Sequence, residues 1–384
     1  AGTLGPVRSD DEHLAATLGW LARAHDACDR RGVSVRYGPD GWYAEPYPET
    51  SGYIIETFLA AHTLTDDRSW LERAHQLGTW EIEIQRPSGA VLSSVTHDHV
   101  RVFNTAQVVF GWLALFSSTK EQRFLDAATR AGRWLVSEQE RDGAWRRNTY
   151  CGARTYQARV AAALLQLADA SSERRFADAA RASLHWVLAQ QRSNGWVDNC
   201  GFDDDDPITH VLGYTLEGLF GAHLAVPNDD DMRDALLASA LRLATPLARA
   251  ALSPGVGGVV GMLPAAFDER WYPDTSSSCL TGNAQIAFAL AQIARILDDD
   301  DDDVRLFERA SDALIDATKR TQLLDGPNPG VRGGVAGSHP FATGYLAAHF
   351  PNWAAKFFAD ALLLLERRRR GREHEVVLPI EVRR

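Results

Sequence analysis

Apolar residues recur along the chain in two alternating patterns. In residues 69–85, 123–139 and 175–191 they return every three or four positions, which gathers them on one face of a helix. These three segments also repeat one another. Trp70, Phe124 and Phe176 open them, Trp80, Trp134 and Trp186 follow, and Gln85, Gln139 and Gln191 close them, at offsets of 54 and 52 residues. Each then runs into a glycine-bearing stop: RPSGAV, ERDGAW or RSNGWV. Residues 11–30, 230–250 and 304–322 continue the amphipathic set. Between them lie segments that are apolar almost all round, at 51–64, 104–116, 156–168, 209–224, 281–297 and 352–365. A helix of that kind is buried on every side.

Six amphipathic and six apolar helices in strict alternation predict an all-α fold. The arrangement expected is an (α/α)6 toroid of six helical hairpins, the apolar helices inside and the amphipathic ones outside. One domain is expected over residues 1–366, followed by an Arg-rich tail at 367–384; only 375–382 hints at a strand. An open solenoid is the alternative. Against it stand six long loops, at 32–50, 92–103, 145–155, 196–207, 253–280 and 325–351, nearly all of which precede an apolar helix. A closed ring collects them at one mouth, and long loops in a compact domain usually carry function.

Composition narrows the possibilities. The 384 residues are 45% hydrophobic, with 11 Trp, 9 Tyr and 15 Phe, which excludes disorder. No apolar stretch reaches the roughly 18–20 residues of a membrane helix, so no membrane insertion is expected. A net charge of −11 argues against nucleic acid as a partner. The four cysteines, Cys28, Cys151, Cys200 and Cys279, form no CxxC pair, hence neither a disulfide framework nor a structural zinc site. The opening residues read as a polar loop and an amphipathic helix, so a cytoplasmic location is expected unless a leader has been trimmed. Nothing in the sequence fixes the oligomeric state.

The loops themselves are rich in aromatics, Arg, His and Asn. Sugars need that mixture, because their C–H faces stack on rings while their hydroxyls require directional partners. The residues placed at the mouth on this ground are Trp42, Tyr47, Tyr53, Asp98, His99, Arg101, Asn104, Arg146, Tyr150, Arg159, Tyr214, Trp271, Asn283, Arg332, His339, Tyr345, Trp353 and Lys356. The arginines, with the helix N-termini expected there, suit an anionic saccharide such as a uronate. The expected partner is therefore an acidic glycan.

The ordered segments YPETSGY (47–53), TYQARVA (155–161), PITH (207–210), SCLTGNAQ (278–285), GVRGGVAGS (330–338) and FPNWAAKFFADAL (350–362) carry a resemblance over nearly the whole chain. It resembles the bacterial, polysaccharide-cluster branch of the six-hairpin glycosidase-like toroids. That superfamily includes hydrolases, lyases and epimerases, so the resemblance implies the fold and a carbohydrate ligand rather than one reaction. Where such relatives carry Asp in an FDTGQ-like segment, this chain has Asn104 within Phe103–Gln107.

A glycosidase needs two carboxyl groups. Glu49, among Trp42, Tyr43, Tyr47 and Tyr53, is the best general acid, since burial there would raise its pKa. Second carboxylates are offered by Asp98, Asp268, Glu269 and Asp274. A lyase or uronyl C5-epimerase instead needs a base, for which Tyr150, Tyr156 and His210 qualify, and groups such as Arg159, Asn283 and Arg332 to neutralise the uronate. The pair His97 and His99 is too little for a metal site, and no metal or cofactor is expected. Gln139-x-x-x-Gly143-x-Trp145 matches the QxxxGxW repeat of triterpene cyclases, and Asp203–Asp206 satisfies a DxDD pattern, but the chain lacks room for the second helical domain of those enzymes. The run at 298–303 reads as a solvated turn. A glycan-binding toroid without catalysis, consistent with Asn104, completes the alternatives.

Overall fold

The structure, a computed structural model, describes residues 4–369 except 204, 228, 229 and 299–301. The tail at 370–384, with its strand-like stretch, and parts of both Asp runs lie outside the described residues. Among the described residues there are twelve α-helices: α1 (Asp10–Asp26), α2 (Pro48–Thr65), α3 (Arg68–Ile84), α4 (Val102–Thr119), α5 (Gln122–Glu138), α6 (Ala158–Ser171), α7 (Arg174–Leu188), α8 (Thr209–Ala225), α9 (Asp231–Ala251), α10 (Leu280–Ala294), α11 (Asp302–Lys319) and α12 (Asn352–Arg369). The last runs to Arg369, past the boundary expected at 366.

The inner helices form a closed ring. α2 packs on α4, α4 on α6, α6 on α8, α8 on α10, α10 on α12, and α12 returns to α2. Every residue of α10, and of α4 from Val102 to Leu115, is buried. Each remaining helix lies outside the inner helix it adjoins in sequence, except that α1 packs on α12 and so joins the ends of the chain. This is the (α/α)6 toroid that the alternating pattern predicts.

The Gln-to-Gly unit fastens the outer ring. Gln139 Nε2 donates to the carbonyl of Gly143 at 2.9 Å, in its own turn, and to Ala179 of the next outer helix, α7, at 2.8 Å. Gly143 has φ +89°, and a Cβ there would meet the Ala182 carbonyl at 2.2 Å, so only glycine fits. Gln85 repeats the device onto Ala127 and Gln191 onto Ser239. The seam uses a variant: Gln322 Nε2 donates to Gly333 at 2.7 Å and to Thr17 of α1 at 2.8 Å. The QxxxGxW match is thus a structural clasp, with no call for cyclase chemistry.

Short strands dress the loops. β1 (Arg36–Gly38) pairs antiparallel with β2 (Gly41–Trp42), β3 (Ala266–Phe267) with β4 (Pro273–Asp274), and β5 (Ser278–Cys279) with β6 (Ser338–His339). β7 (Phe350–Pro351) adds to β1 with Arg36 opposite Pro351, tying the first loop to the start of α12.

Candidate functional site

The mouth is built from the first turns of the inner helices. In α2, Pro48 occupies the position where its fixed φ and missing N–H are harmless, and Glu49 follows it in the first turn. The side chain of Glu49 is only 6% exposed. Tyr47 Oη donates to Glu49 Oε2 at 2.8 Å, and Tyr214 Oη to Oε1 at 3.5 Å. Burial pushes the Glu49 pKa up to about 7, although the Tyr47 hydroxyl and the Arg159 charge pull it down.

Proton counting gives the same direction. Tyr47 Oη lies 2.8 Å from Tyr150 Oη, and Tyr150 Oη donates to Asn104 Oδ1 at 3.1 Å. Asn104 Nδ2 donates back to Tyr47 Oη at 3.3 Å. Glu49–Tyr47, Tyr47–Tyr150 and Tyr150–Asn104 are three oxygen–oxygen contacts that share two phenolic protons. With Glu49 ionised, Tyr47 spends its proton on the carboxylate and one of the other two contacts goes without; a proton on Glu49 frees the Tyr47 hydroxyl to accept from the carboxyl and donate to Tyr150, which donates to Asn104. The geometry is complete when Glu49 is protonated.

Rings enclose this chain. Trp353, in the first turn of α12, lies 6.1 Å from Tyr47, and His210 packs at a tilt, 4.3 Å from Tyr214, whose hydroxyl is 3.4 Å from that of Tyr53. Tyr345 is 6.0 Å from His210. Tyr156 packs edge-on against Phe103 at 5.1 Å and near Phe202 at 5.5 Å; its buried hydroxyl has no partner among the described residues, and burial raises its pKa. Tyr150, 44% exposed, carries the Arg101 guanidinium 5.5 Å from its ring centre. No described carboxylate forms an ion pair with Arg101.

Farther along the same helices lies a charged layer. Arg159 donates to Gln107 Oε1 at 2.9 Å and pairs with Glu217, which also accepts from Gln285 Nε2 at 2.8 Å. Because the Gln285 amide nitrogen is thus engaged, its oxygen faces His210 Nδ1 at 2.7 Å, and Nδ1 carries the imidazole proton. Burial drops the His210 pKa to about 3, so the ring stays neutral. Lys356 pairs with Asp360 at 2.5 Å, 4.9 Å from the Tyr53 ring centre, and Thr57 donates to Asp360 at 2.7 Å. Glu56 is buried with neither carboxyl oxygen partnered among the described residues, and burial pushes its pKa up to about 8. A neutral Glu56 leaves two cations matched by two anions.

The structure therefore brings together Glu49, Tyr47, Tyr53, Arg101, Asn104, Tyr150, Tyr156, Arg159, His210, Tyr214, Tyr345, Trp353 and Lys356. Other residues expected at the mouth are engaged elsewhere. Trp42 packs on Trp20 at 4.9 Å and on Tyr37 at 5.2 Å. The Asp98 side chain, 81% exposed, pairs with Arg86, and His99 contacts His97. Arg146 is held by Glu140 and Asp142 of its own turn. Trp271 packs on Trp196 and donates to the Asn194 carbonyl. Asn283 is buried and donates to the Gly261 carbonyl at 2.8 Å, a loop-fixing bond. Arg332 lies beside α1, its carbonyl accepting from Arg23, and His339 sits in β6. Of the other carboxylates, Glu269 pairs with Arg192, while Asp268 and Asp274 accept backbone N–H groups of their own turns. The described residues hold no cluster of three or more His, Cys, Asp or Glu able to bind a metal. None of the described helices is long and apolar enough to cross a membrane.

The expected set lacks Gln107, Glu217, Gln285, Glu56 and Asp360, together with Phe103 and Phe202. For the five polar ones the only signal was a polar residue inside an apolar helix, which must have a partner that the sequence does not name.

No known family profile matches the sequence, and no curated protein matches it. Solved structures do. An unsaturated glucuronyl hydrolase from Bacillus sp. GL1, responsible for the degradation of glycosaminoglycan, superposes with a TM-score of 0.72 at 17% identity, over 95% of this chain and 98% of its own. A polysaccharide lyase gives 0.68 at 13% identity, over 95% and 99%. Cellobiose 2-epimerase from Bacillus thermoamylovorans B4167 gives 0.69 at 12%, over 92% and 97%. The chain has the fold of the six-hairpin glycosidase-like toroids. At such identities the likeness is one of architecture, and the activities of the three differ.

Proposed function

We propose that this protein is a carbohydrate-active enzyme that hydrolyses an acidic saccharide with Glu49 as proton donor, and that its substrate is an unsaturated uronide. The observation that carries the reading is the hydrogen-bond chain at Glu49, complete only when the carboxyl holds its proton.

Ordinary glycoside hydrolysis calls for a second carboxyl group roughly 5 to 9.5 Å away. The partners of Glu49 are hydroxyls, and the carboxylates singled out from the sequence are engaged elsewhere. An enol ether needs one acid. Glu49 gives its proton to C4 of a C4=C5 uronyl unit, and the positive charge spreads over C5 and the ring oxygen. Water adds at C5, its proton returns to the Glu49 carboxylate, and the hemiketal formed opens to release the remaining sugar. Arg101, beside Tyr150 and free of described carboxylates, suits the substrate carboxylate; Arg159 is already committed to Glu217. The glucuronyl hydrolase among the structural neighbours supports this choice.

The test is to incubate the protein with unsaturated and saturated uronate oligosaccharides. Loss of the C4=C5 ultraviolet absorbance with appearance of reducing ends is the expected result. Rising absorbance means elimination, and solvent deuterium incorporation alone means epimerisation. Binding without turnover means a glycan-binding toroid. Each of those three outcomes overturns the reading.

A further inference from the structure

The β1–β2 hairpin sets two pairs of side chains on opposite faces, as strand alternation requires. Tyr37 and Trp42 face α1, where Trp42 packs on Trp20. Arg36 and Tyr43 face the other way, with the Arg36 guanidinium 4.3 Å from the centre of the Tyr43 ring. His349, just before β7, closes the group. Its ring is 6.0 Å from Tyr43, its Nε2 is 3.5 Å from the Tyr43 hydroxyl, and its Nδ1–H donates to the Ala347 carbonyl at 2.8 Å. The imidazole is seated against Gly38, where a Cβ would meet it at 2.5 Å.

Arg36 is unusual in this setting. Its Nε is buried without an acceptor, and no described carboxylate forms an ion pair with it. A half-buried guanidinium laid over a ring, its Nε turned inward and its two terminal nitrogens facing out without a described carboxylate, is a ready receptor for a planar anion, which those two nitrogens can grip with two parallel hydrogen bonds. Its place is also informative. β1 pairs with β7, and β7 leads into the turn of α12 whose Trp353 packs against Tyr47, the partner of Glu49.

We propose that Arg36, Tyr43 and His349 form a second anionic subsite, which holds the carboxylate of a sugar unit beyond the one attacked at Glu49. The proposal rests on the acidic-saccharide reading above and adds that the substrate carries at least two acidic units. The probes are the unsaturated disaccharide and tetrasaccharide of hyaluronan, with one and two carboxylates. Calorimetry on Glu49→Gln protein, which binds the probes without consuming them, should show the tetrasaccharide binding about tenfold tighter than the disaccharide, a gain that shrinks with salt. Adding Arg36→Gln should abolish that gain and leave disaccharide affinity intact, with disaccharide turnover unchanged when Arg36→Gln is made alone, and Arg36→Lys should restore only part of the gain. Arg36→Met serves as a second variant, with melting temperature as the check on folding. A tetrasaccharide gain that survives both Arg36→Gln and Arg36→Met, or its absence while Arg36 is in place, overturns the subsite. Failure of the underlying reading has a different signature: the C4=C5 absorbance of both probes stays unchanged whatever stands at position 36.

Discussion

The barrel holds two polar layers that solve the problem of buried charge in opposite ways. The deep layer pairs its charges, Arg159 with Glu217 and Lys356 with Asp360, and fills the remaining valences with Gln107, Gln285 and Thr57. At the mouth, Glu49 has no ion pair among the described residues and accepts from tyrosine hydroxyls. Pairing fixes a charge, whereas hydroxyls leave a proton movable. The first arrangement suits a scaffold, the second a proton donor working near neutral pH.

The comparison is broken most sharply at Glu49. Glu49→Gln keeps the shape and removes the proton, so turnover of an unsaturated uronide should fall about a hundred- to ten-thousand-fold, with the melting temperature little changed. The converse change is Arg159→Met. It leaves Glu217 buried and unpaired and should cost about 3–5 kcal/mol in denaturant unfolding. A large loss of stability from Glu49→Gln, or a negligible one from Arg159→Met, would erase the distinction between the layers.

Glu56 offers an effect that is absent at low pH and grows with pH. Its folded value near 8 lies above the ordinary 4.5, so between these limits the native state keeps a proton that the unfolded chain has released. Stability contributed by this group is full below about pH 4.5 and declines as pH rises towards 8. The slope is about 1.4 kcal/mol per pH unit for one proton. Urea unfolding of Glu56→Gln should show a correspondingly shallower decline than the wild type over that window.

The finest adjustment is Asn104→Asp. It places a carboxylate in the hydrogen-bond chain three links from Glu49, and like charge there should raise the Glu49 pKa by about one unit. Because the donor must be protonated, activity is lost as pH rises through that pKa. The alkaline limb of the pH–rate profile should therefore move to higher pH in the variant.

Much of the fold was legible because helix periodicity and the Gln-to-Gly stops are local properties. The ring closure of α1 on α12 was legible only as a count of hairpins. Glu49 stood out because a first-turn carboxylate amid tyrosines is rare. Trp42 misled because a two-residue strand decides which of two neighbouring aromatics faces which way, and Trp42 faces α1 whereas Tyr43 does not. Arg146 misled because its partners, Glu140 and Asp142, belong to the same turn and read as ordinary surface charge. Glu217 and Gln285 were hidden for the opposite reason. They sit in helices apolar enough to be read as plain core, and only the three-dimensional ring shows that Arg159 completes them.

Proton donation at neutral pH requires that Glu49 hold its proton there. Difference infrared titration of the wild type against Glu49→Gln isolates that single carboxyl. A protonated-carboxyl band that disappears with a midpoint near pH 7 is the predicted result. A midpoint near the ordinary 4.5 would contradict it.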